Sequence, residues 1–191
     1  MQLILASQSP RRRELLGLFH IPFTVRVADI DETMDPAADP SLEVGRVSRL
    51  KALAVPREEE DVVIAADTIV VCQGRILGKP HSEEEAVQML QLLSGRDHQV
   101  MTGLTVLRGA DLHTHTEVTD IHFRSLSQGE ILSYVRSGEP MDKAGAYGIQ
   151  GGAALFAEQM AGDYYNVMGL PVCRLYQILA ELAPELLEDM Q

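Results

Sequence analysis

The segment "VVIAADTIVV", residues 62–71, constrains the fold more than any other stretch of this sequence. It is rich in β-branched residues, and such an apolar run bounded by polar residues predicts a buried β-strand. Asp67 is its single charged residue, and a carboxylate in apolar surroundings is costly to desolvate unless it has partners. We therefore predict a buried strand that is broken in its middle at Asp67 and Thr68 and is followed by a turn at Gly74.

Strand-like and helix-like segments alternate along the rest of the chain. Capping boxes of Ser82 with Glu85 and of Ser127 with Glu130 mark two helix starts. Hairpin signals around residues 109–111 occur among strand–helix units, so the pattern predicts a single α/β domain over 1–191 with mixed strand directions. The predicted strands are Leu3–Ala6, Phe23–Ala28, 98–107, 112–126 and Ala154–Met160, and the predicted helices are Pro10–Leu18, Pro40–Val55 capped by Asp39, 82–93, 127–138 and one from about Pro171.

Near the N-terminus, "LILASQSPRRREL" places three arginines directly after a predicted strand and turn. With Ser9 as N-cap and Pro10 at the first position, Arg11–Arg13 would occupy the first turn of a helix. Cations are disfavoured there by the helix dipole unless an anion is bound. A phosphate site is therefore one interpretation. A solvated basic face or a nucleic-acid patch are the alternatives left open by this motif alone.

The distribution of charge separates these alternatives. The net charge is −12, yet residues 1–51 carry seven basic and seven acidic side chains, so the remainder supplies the whole deficit. An acidic body disfavours binding along nucleic acid, whose phosphates it would repel. A small polyphosphate could still occupy a local cationic pocket, together with a divalent cation. No apolar run predicts a membrane helix, and Cys72 and Cys173 are expected to be buried thiols in a reducing cytoplasm.

Several carboxylates are candidates for chemistry. Asp67 is either a structural residue that ties down a turn or a carboxylate facing a cleft, as metal ligand or general base. Asp31 and Glu32 in "DIDET" would make a magnesium site together with Asp67. Lys79 in "GKP" is a candidate partner for phosphate. His113 and His115 share one face of a predicted strand without a third ligand, so zinc is not expected, and neither a Walker A motif nor GxGxxG is present.

Eight segments together resemble the Maf family of nucleoside triphosphate pyrophosphatases. They occur in order between residue 3 and about residue 171: "LILASQSPRRREL", "DIDE", "RLKA", "AADTIVV", "GKP", "LSGRDHQVMTGL", "EPMDKAGAYGIQG" and "GDYYNVMGLP". The form "DKAGAYGIQG" is similar to the branch that acts on dTTP and UTP. Two departures are Ala66, where glycine is usual, and Val47-Ser48, where Leu-Ala is usual.

The resemblance implies a fold, a cofactor and a set of site residues. The implied fold is an elongated mixed α/β sheet with flanking helices, similar to the ITPase-like pyrophosphatases, with two lobes around a cleft. A divalent cation, Mg²⁺ or alternatively Mn²⁺, would be held by Glu32 and Asp67, and a homodimer is expected by family likeness. The implied catalytic residue is Asp67, the residues lining the triphosphate and metal site are Ser7, Arg12, Glu32, Lys51 and Lys79, and the specificity residues are Arg11, Thr68 and Gln150.

The expected reaction is hydrolysis of dTTP, UTP and modified pyrimidine nucleotides between the α and β phosphates, which releases pyrophosphate. The alternative is a non-catalytic nucleotide-binding regulator linked to cell division. Whether Asp67 is mainly a metal ligand or mainly a base is left open by the sequence.

Gln150 is the candidate reader of the base. Its amide can match the N3 donor and O4 acceptor that uracil and thymine share. Three nearby glycines, Gly148, Gly151 and Gly152, are expected to let the backbone approach a flat ligand. If the Gln150 amide could rotate by 180°, it would no longer distinguish uracil from cytosine. Arg11 or Thr68 could fix its orientation. The alternative is that Gln150 only ties down the loop.

Overall fold

Hydrophobic, β-branched segments of the chain pair into one mixed sheet. In the computed structural model, which describes residues 1–27 and 29–188, seven strands have the order β2-β1-β3-β5-β6-β7, with β4 paired to β3. β1 is parallel to β2 and to β3. β4 is antiparallel to β3, and β7 is antiparallel to β6. The strands are β1 (Leu3–Leu5), β2 (Phe23–Val25), β3 (Val62–Cys72), β4 (Arg75–Leu77), β5 (Asp97–Arg108), β6 (Asp111–Phe123) and β7 (Ala157–Ala161).

β3 runs without interruption from Val62 to Cys72, so the predicted break at Asp67 and Thr68 is wrong. These two residues are mostly but not fully buried, and those on either side of them in the strand are buried. A polar side chain does not prevent its own backbone from joining a sheet ladder when the side chain finds partners at the surface of the sheet. Asp67 therefore occupies a rigid strand position instead of a turn.

The helices begin where capping residues predict. Ser9 Oγ accepts a hydrogen bond from the Arg12 amide, and the Asp39 carboxylate accepts from Ser41. Ser127 and Glu130 form the complete predicted capping box. The helices are α1 (Pro10–Gly17), α2 (Pro40–Ala54), α3 (Glu83–Leu93), α4 (Gln128–Arg136), α5 (Tyr164–Met168) and α6 (Val172–Leu182).

Several local predictions need correction. At α3 the predicted box is only half formed, because Ser82 accepts from the Glu85 amide while the Glu85 carboxylate accepts from His81 N–H. β2 ends at Val25, and the predicted end at Ala28 falls outside the described residues. β6 ends at Phe123, and 3₁₀ turns shorten the strand predicted from Ala154, so β7 begins at Ala157. The short helix α5 was not predicted.

The two cysteines differ in their surroundings. Cys72 is buried, as predicted, but Cys173 is exposed, so the expectation of two buried thiols is wrong for Cys173. The apolar face of α6 consists of Leu175, Ile178 and Leu179, and Cys173 precedes it on the outward side of the helix.

The chain divides into two compact units, each with its own core. The first unit comprises residues 1–67, 102–117 and the chain from Gly169 onward. It contains an apolar cluster that includes Ile4, Val63 and Leu107. The second unit comprises 68–101 and 118–168. Its core includes a set of edge-to-face aromatic rings, among them Phe123, Tyr147 and Phe156. The single domain over 1–191 stays a prediction.

In the first unit, α2 lies against the sheet at an unusually short distance. A Cβ atom at Gly103 on β5 would overlap the Val44 carbonyl of α2 and would lie 2.8 Å from Gly45 N. One turn further along α2, the buried Ser48 hydroxyl lies 2.7 Å from Thr105 Oγ1 of β5 and donates to Gly45 O. This contact fixes the helix face that carries Lys51 three residues later.

We predict that Gly103→Ala destabilises the protein by about 2 kcal/mol, because α2 must shift away from β5 to admit the methyl group. Gly129→Ala in α4 is the matched control, since nothing lies within 4 Å of a Cβ there, and it should be neutral or stabilising by less than about 1 kcal/mol. Urea unfolding of both variants measures the difference. Equal stability of the two variants would contradict the close packing of α2.

Candidate active site

Three charged side chains from separate parts of the first unit meet at the middle of β3. Lys51 Nζ, in the last turn of α2, donates to Asp67 Oδ1 at 2.6 Å and to Glu32 Oε2 at 2.9 Å. The Lys51 and Asp67 side chains are only 14% and 13% exposed, whereas the Glu32 side chain is 57% exposed. The cluster therefore has an inner, largely desolvated pair and an outer carboxylate that faces solvent.

The inner pair is not explained well by stability alone. Desolvating two charges offsets much of the attraction between them, so a buried ion pair often contributes little to folding. Removing one partner, in contrast, leaves an uncompensated charge. A lysine and an aspartate kept together near the surface of a sheet are more typical of a site for charged ligands and proton transfer.

The loop that carries Glu32 is fastened to α2 by a second ion pair. Glu43 and Arg46 are bonded at 2.8 Å, the Glu43 carboxylate accepts from Asp35 N–H at 2.9 Å, and Arg46 Nη2 donates to Thr33 O at 2.7 Å. The Arg46 hydrogen bond, followed by the Asp35 amide, lowers the pKa of Glu43 to about 2. These bonds hold the residues directly after Glu32 in one conformation.

Asp31 does not share the position of Glu32. Its carboxylate accepts from Thr33 N–H at 2.9 Å, which lowers the pKa of Asp31. Asp31 is therefore engaged in a local turn, and the prediction that it contributes with Glu32 to a metal site finds no support in its contacts.

The start of α1 places Arg12 in the same electrostatic environment. Its Nε donates to Gly169 O at 2.8 Å, and its Nη1 lies 3.3 Å from the buried Ser7 Oγ. Burial lowers the pKa of Arg12 and the neighbouring Arg11 acts in the same direction, whereas the charges of Asp67 and Glu32 raise it. The first unit thus gathers six of the predicted residues: Ser7, Arg11, Arg12, Glu32, Lys51 and Asp67.

The other three predicted residues belong to the second unit. Thr68 follows Asp67 directly in β3 and is mostly but not fully buried. Lys79 is exposed in the segment that joins β4 to α3. Gln150 is exposed in a turn before a 3₁₀ segment, Gly152–Leu155. Two of these side chains, Lys79 and Gln150, are thus available to solvent.

The first unit has donors suited to a hard cation. Glu32 and Asp67 direct one carboxylate oxygen each at a common point, which is now taken by the Lys51 ammonium. Among the described residues there is no group of three His, Cys, Asp or Glu that could hold a metal. Magnesium commonly uses one or two carboxylates and completes its shell with waters and substrate phosphates. The donor set therefore fits a cation that is bound together with a phosphate ligand.

His113 and His115 line a different surface of the first unit. They face α6 across a pocket that also contains Arg174 and Gln177. His115 Nε2 lies 3.2 Å from Glu117 Oε2. Within residues 1–27 and 29–188 no group of three possible metal ligands includes this pair.

Two features of the site were not predicted. The Gly169 carbonyl that accepts from Arg12 is 157 residues away in the chain, and no sequence signal indicates such a bond. The pair of Glu43 and Arg46 has the three-residue spacing of a helical ion pair, which could have been recognised. The sequence gives no signal for the two hydrogen bonds that join this pair to the backbone of the Glu32 loop.

The family model of "Maf-like protein" matches residues 2–182. The chain belongs to the Maf family. Similar relatives are called "dTTP/UTP pyrophosphatase". That of Halalkalibacterium halodurans is 51% identical over 93% of this chain and 94% of the relative, that of Symbiobacterium thermophilum 51% over 94% and 93%, and that of Aquifex aeolicus 48% over 95% and 96%.

Among solved structures, a HAM1 protein from Coxiella burnetii is similar to this Maf-family chain with a TM-score of 0.52. The likeness covers 95% of this chain and 99% of that protein, with 14% identical residues. It confirms the predicted fold class, a mixed α/β sheet with flanking helices of the ITPase-like kind, and it concerns the fold alone.

Because the pKa of Glu43 is lowered to about 2 from an ordinary 4.5, its ionised form stabilises the folded state fully above about pH 4.5. That contribution is lost as the pH falls toward 2. We predict that Glu43→Gln lowers the urea midpoint of this Maf-family protein at pH 7, and that the difference from wild type shrinks below pH 4.5. Glu158→Gln, at an exposed position of β7, is the control and should leave the urea midpoint unchanged at pH 7 and below pH 4.5. A difference for Glu43→Gln that does not vary with pH would contradict the ion-pair assignment.

Proposed function

We propose that this nucleoside triphosphate pyrophosphatase acts on UTP and dTTP, cleaves between the α and β phosphates, and releases a nucleoside monophosphate and pyrophosphate. The observation that carries the proposal is the Asp67–Lys51–Glu32 cluster, which lies in a chain whose relatives called dTTP/UTP pyrophosphatase are about half identical to it. Modified pyrimidine nucleotides are included in the proposed substrate class.

The cations neutralise phosphate charge in this proposal. Arg12 presents a planar guanidinium suited to two phosphate oxygens, and the buried Ser7 hydroxyl beside it adds a hydrogen bond. Lys51 and Lys79 supply point charges. Cations that are already fixed in position, as Arg12 is by the Gly169 carbonyl, stabilise the charge that develops on the leaving pyrophosphate with little reorganisation.

Asp67 is the proposed acid/base residue. Its position inside β3 fixes the carboxylate, and one of its oxygens accepts from Lys51. The second oxygen can orient a water molecule toward the α phosphorus and accept its proton. The proton would then reach solvent on the exposed side of the cluster, where Glu32 lies.

A divalent cation, Mg²⁺ or alternatively Mn²⁺, completes the proposal, with Glu32 and Asp67 as its protein ligands. Such an ion neutralises phosphate oxygens and polarises a bound water. Lys51 would release at least one carboxylate oxygen for the ion, since its ammonium now contacts both.

Base selection is assigned to Gln150, with Arg11 and Thr68 as further specificity residues. The Gln150 amide can donate to O4 and accept from N3–H of uracil or thymine, and the 5-methyl group lies away from that edge. Cytosine reverses donor and acceptor at this edge, so a fixed amide would leave groups unpaired, at a cost of roughly 1–3 kcal/mol each.

The cellular setting remains at the level of prediction. Among the described residues no helix is long and apolar enough to span a membrane. Both cysteines are free thiols, as is usual in a reducing cytoplasm. A cytoplasmic location and a homodimer are the predictions for this chain.

The decisive test is the product. We expect UTP with Mg²⁺ to yield UMP and pyrophosphate, detected by a pyrophosphate-coupled assay and by ³¹P NMR. Asp67→Asn, with the fold kept, should lower the rate about a hundredfold or more, which assigns the activity to this site. Orthophosphate as the product would refute the cleavage position. Binding of UTP without any turnover would support the regulator instead.

Phosphate and base contacts should respond differently to mutation. We predict that Gln150→Ala reduces the preference for UTP and dTTP over CTP, because the hydrogen bonds that discriminate the base edge are lost. Arg12→Ala and Lys79→Ala are the matched variants, and they should lower kcat/KM for all three nucleotides by a similar factor, since the triphosphate is common to them. A changed ranking in Arg12→Ala, or an equal loss for all nucleotides in Gln150→Ala, would contradict the assignment.

A further inference from the structure

The loop that carries Gln150 is held at both of its ends by two side chains of the second unit. The Gly148–Gly152 loop lies between the 3₁₀ turn Ala144–Ala146 and the 3₁₀ turn Gly152–Leu155. Gly148 N–H donates to the Tyr134 hydroxyl at 3.1 Å, and Gly152 N–H donates to Glu139 Oε2 at 3.1 Å. The Tyr134 hydroxyl donates in turn to Glu139 Oε1 at 2.9 Å.

Tyr134 and Glu139 therefore form one connected clamp, with Gln150 midway between the two backbone groups that it holds. The clamp is satisfied at every polar atom that faces the loop. The hydroxyl gives its single proton to the carboxylate and accepts from one amide, and each carboxylate oxygen accepts one bond. Burial raises the pKa of the Tyr134 hydroxyl, and the Glu139 hydrogen bond raises it further, so the hydroxyl remains a donor.

The clamp is itself anchored. Tyr134 belongs to α4, is 7% exposed and packs edge to face on Phe156 at 5.2 Å between ring centroids. Glu139 is held through its backbone, because its carbonyl accepts from Lys143 Nζ at 2.6 Å and its N–H donates to Ser137 Oγ at 3.2 Å. The loop is thus bonded to side chains that have little freedom of their own.

The glycines of the loop allow this close approach. A Cβ at Gly151 would overlap the Glu139 carboxylate, one at Gly148 would lie 2.6 Å from Lys143 Cε, and one at Gly152 would lie 3.2 Å from the Tyr134 ring. The sequence predicted that these glycines make room for a flat ligand. The structure corrects this, because the space beside them is filled by Glu139, Lys143 and Tyr134.

We propose that Tyr134 and Glu139 are positioning residues for base selection, which they exert by fixing the backbone on both sides of Gln150. The inference rests on the proposed function of Gln150. A single amide can discriminate uracil from cytosine only if its orientation is fixed, since an amide rotated by 180° matches cytosine equally well. A loop with both ends bonded keeps the Cα of Gln150 and the direction of its Cα–Cβ bond in place, so the amide reaches a base from one fixed origin.

The first experiment compares base preference in conservative variants. Tyr134→Phe removes the hydroxyl, and Glu139→Gln replaces an acceptor oxygen by a donor that opposes Tyr134 O–H or Gly152 N–H. We expect either variant to reduce the ratio of kcat/KM for UTP to kcat/KM for CTP by about tenfold. Glu130→Gln is the matched control, because the Glu130 carboxylate also accepts hydrogen bonds from Arg124 and from Ser127 N–H, but none from the loop. Its UTP to CTP ratio should equal that of wild type. An unchanged ratio in folded Tyr134→Phe and Glu139→Gln proteins would overturn the proposal.

The second experiment asks whether the clamp acts through Gln150. In a Gln150→Ala background, Glu139→Gln should have no further effect on the UTP to CTP ratio, since no amide is left to orient. An effect of the same size in both backgrounds would show that Glu139 influences selectivity by another route and would overturn the proposal.

Hydrogen exchange provides a readout that does not depend on turnover. The Gly148 and Gly152 amides should be protected in wild type and exchange at least tenfold faster in Glu139→Gln, while amides in the body of α4 remain protected. Unchanged protection would refute the clamp whatever the activity. Loss of protection in a protein that releases no pyrophosphate would confirm the clamp and refute the proposed function, and a wild type without preference for UTP over CTP would refute the role in selection.

Discussion

One ammonium group, that of Lys51, lies between carboxylates from a central strand and from a loop, and much of the first unit is arranged around this contact. The Lys51 cation compensates the charge of Asp67, a strand residue in an otherwise apolar segment. Glu32 brings the acidic loop to the same point. Arg12, at the start of α1, interacts electrostatically with both carboxylates, whose charges raise its pKa. Without Lys51, two negative charges would converge beside an apolar sheet, at a substantial electrostatic cost.

The position of Lys51 depends in turn on how closely α2 approaches the sheet. Gly103 permits that approach, and the buried hydroxyls of Ser48 and Thr105 satisfy each other across the contact. Ser48 stands where the family resemblance leads one to expect alanine, and Thr105 supplies the partner that a buried hydroxyl needs. Small residues on a helix face and on a strand are therefore as important for the chemistry of this site as the charged residues that they position.

Local signals predicted local structure well and long-range contacts poorly. Ser9, Asp39 and Ser127 cap helices as predicted, because an N-cap needs only an oxygen and a nearby amide. The sequence around Asp67 predicts a break in the strand, because the partner that Lys51 supplies lies 16 residues away and leaves no local signal.

At the site, charge and spacing indicate the candidate residues, but they do not indicate which contacts hold those residues in place. The Gly169 carbonyl, the Glu43–Arg46 pair and the Tyr134–Glu139 clamp all involve backbone groups whose positions only the folded chain defines. The motif around Gln150 indicated a special loop, and the reason for its glycines became visible only from the neighbouring side chains.

The bond from Arg12 to the Gly169 carbonyl has a consequence for biosynthesis. The two residues are 157 positions apart, so Arg12 acquires this bond only after Gly169 has left the ribosome. Until then α1 carries three consecutive arginines without that anchor. A nascent chain that stops before Gly169 would therefore present the first-turn arginines of α1 without the carbonyl that holds Arg12.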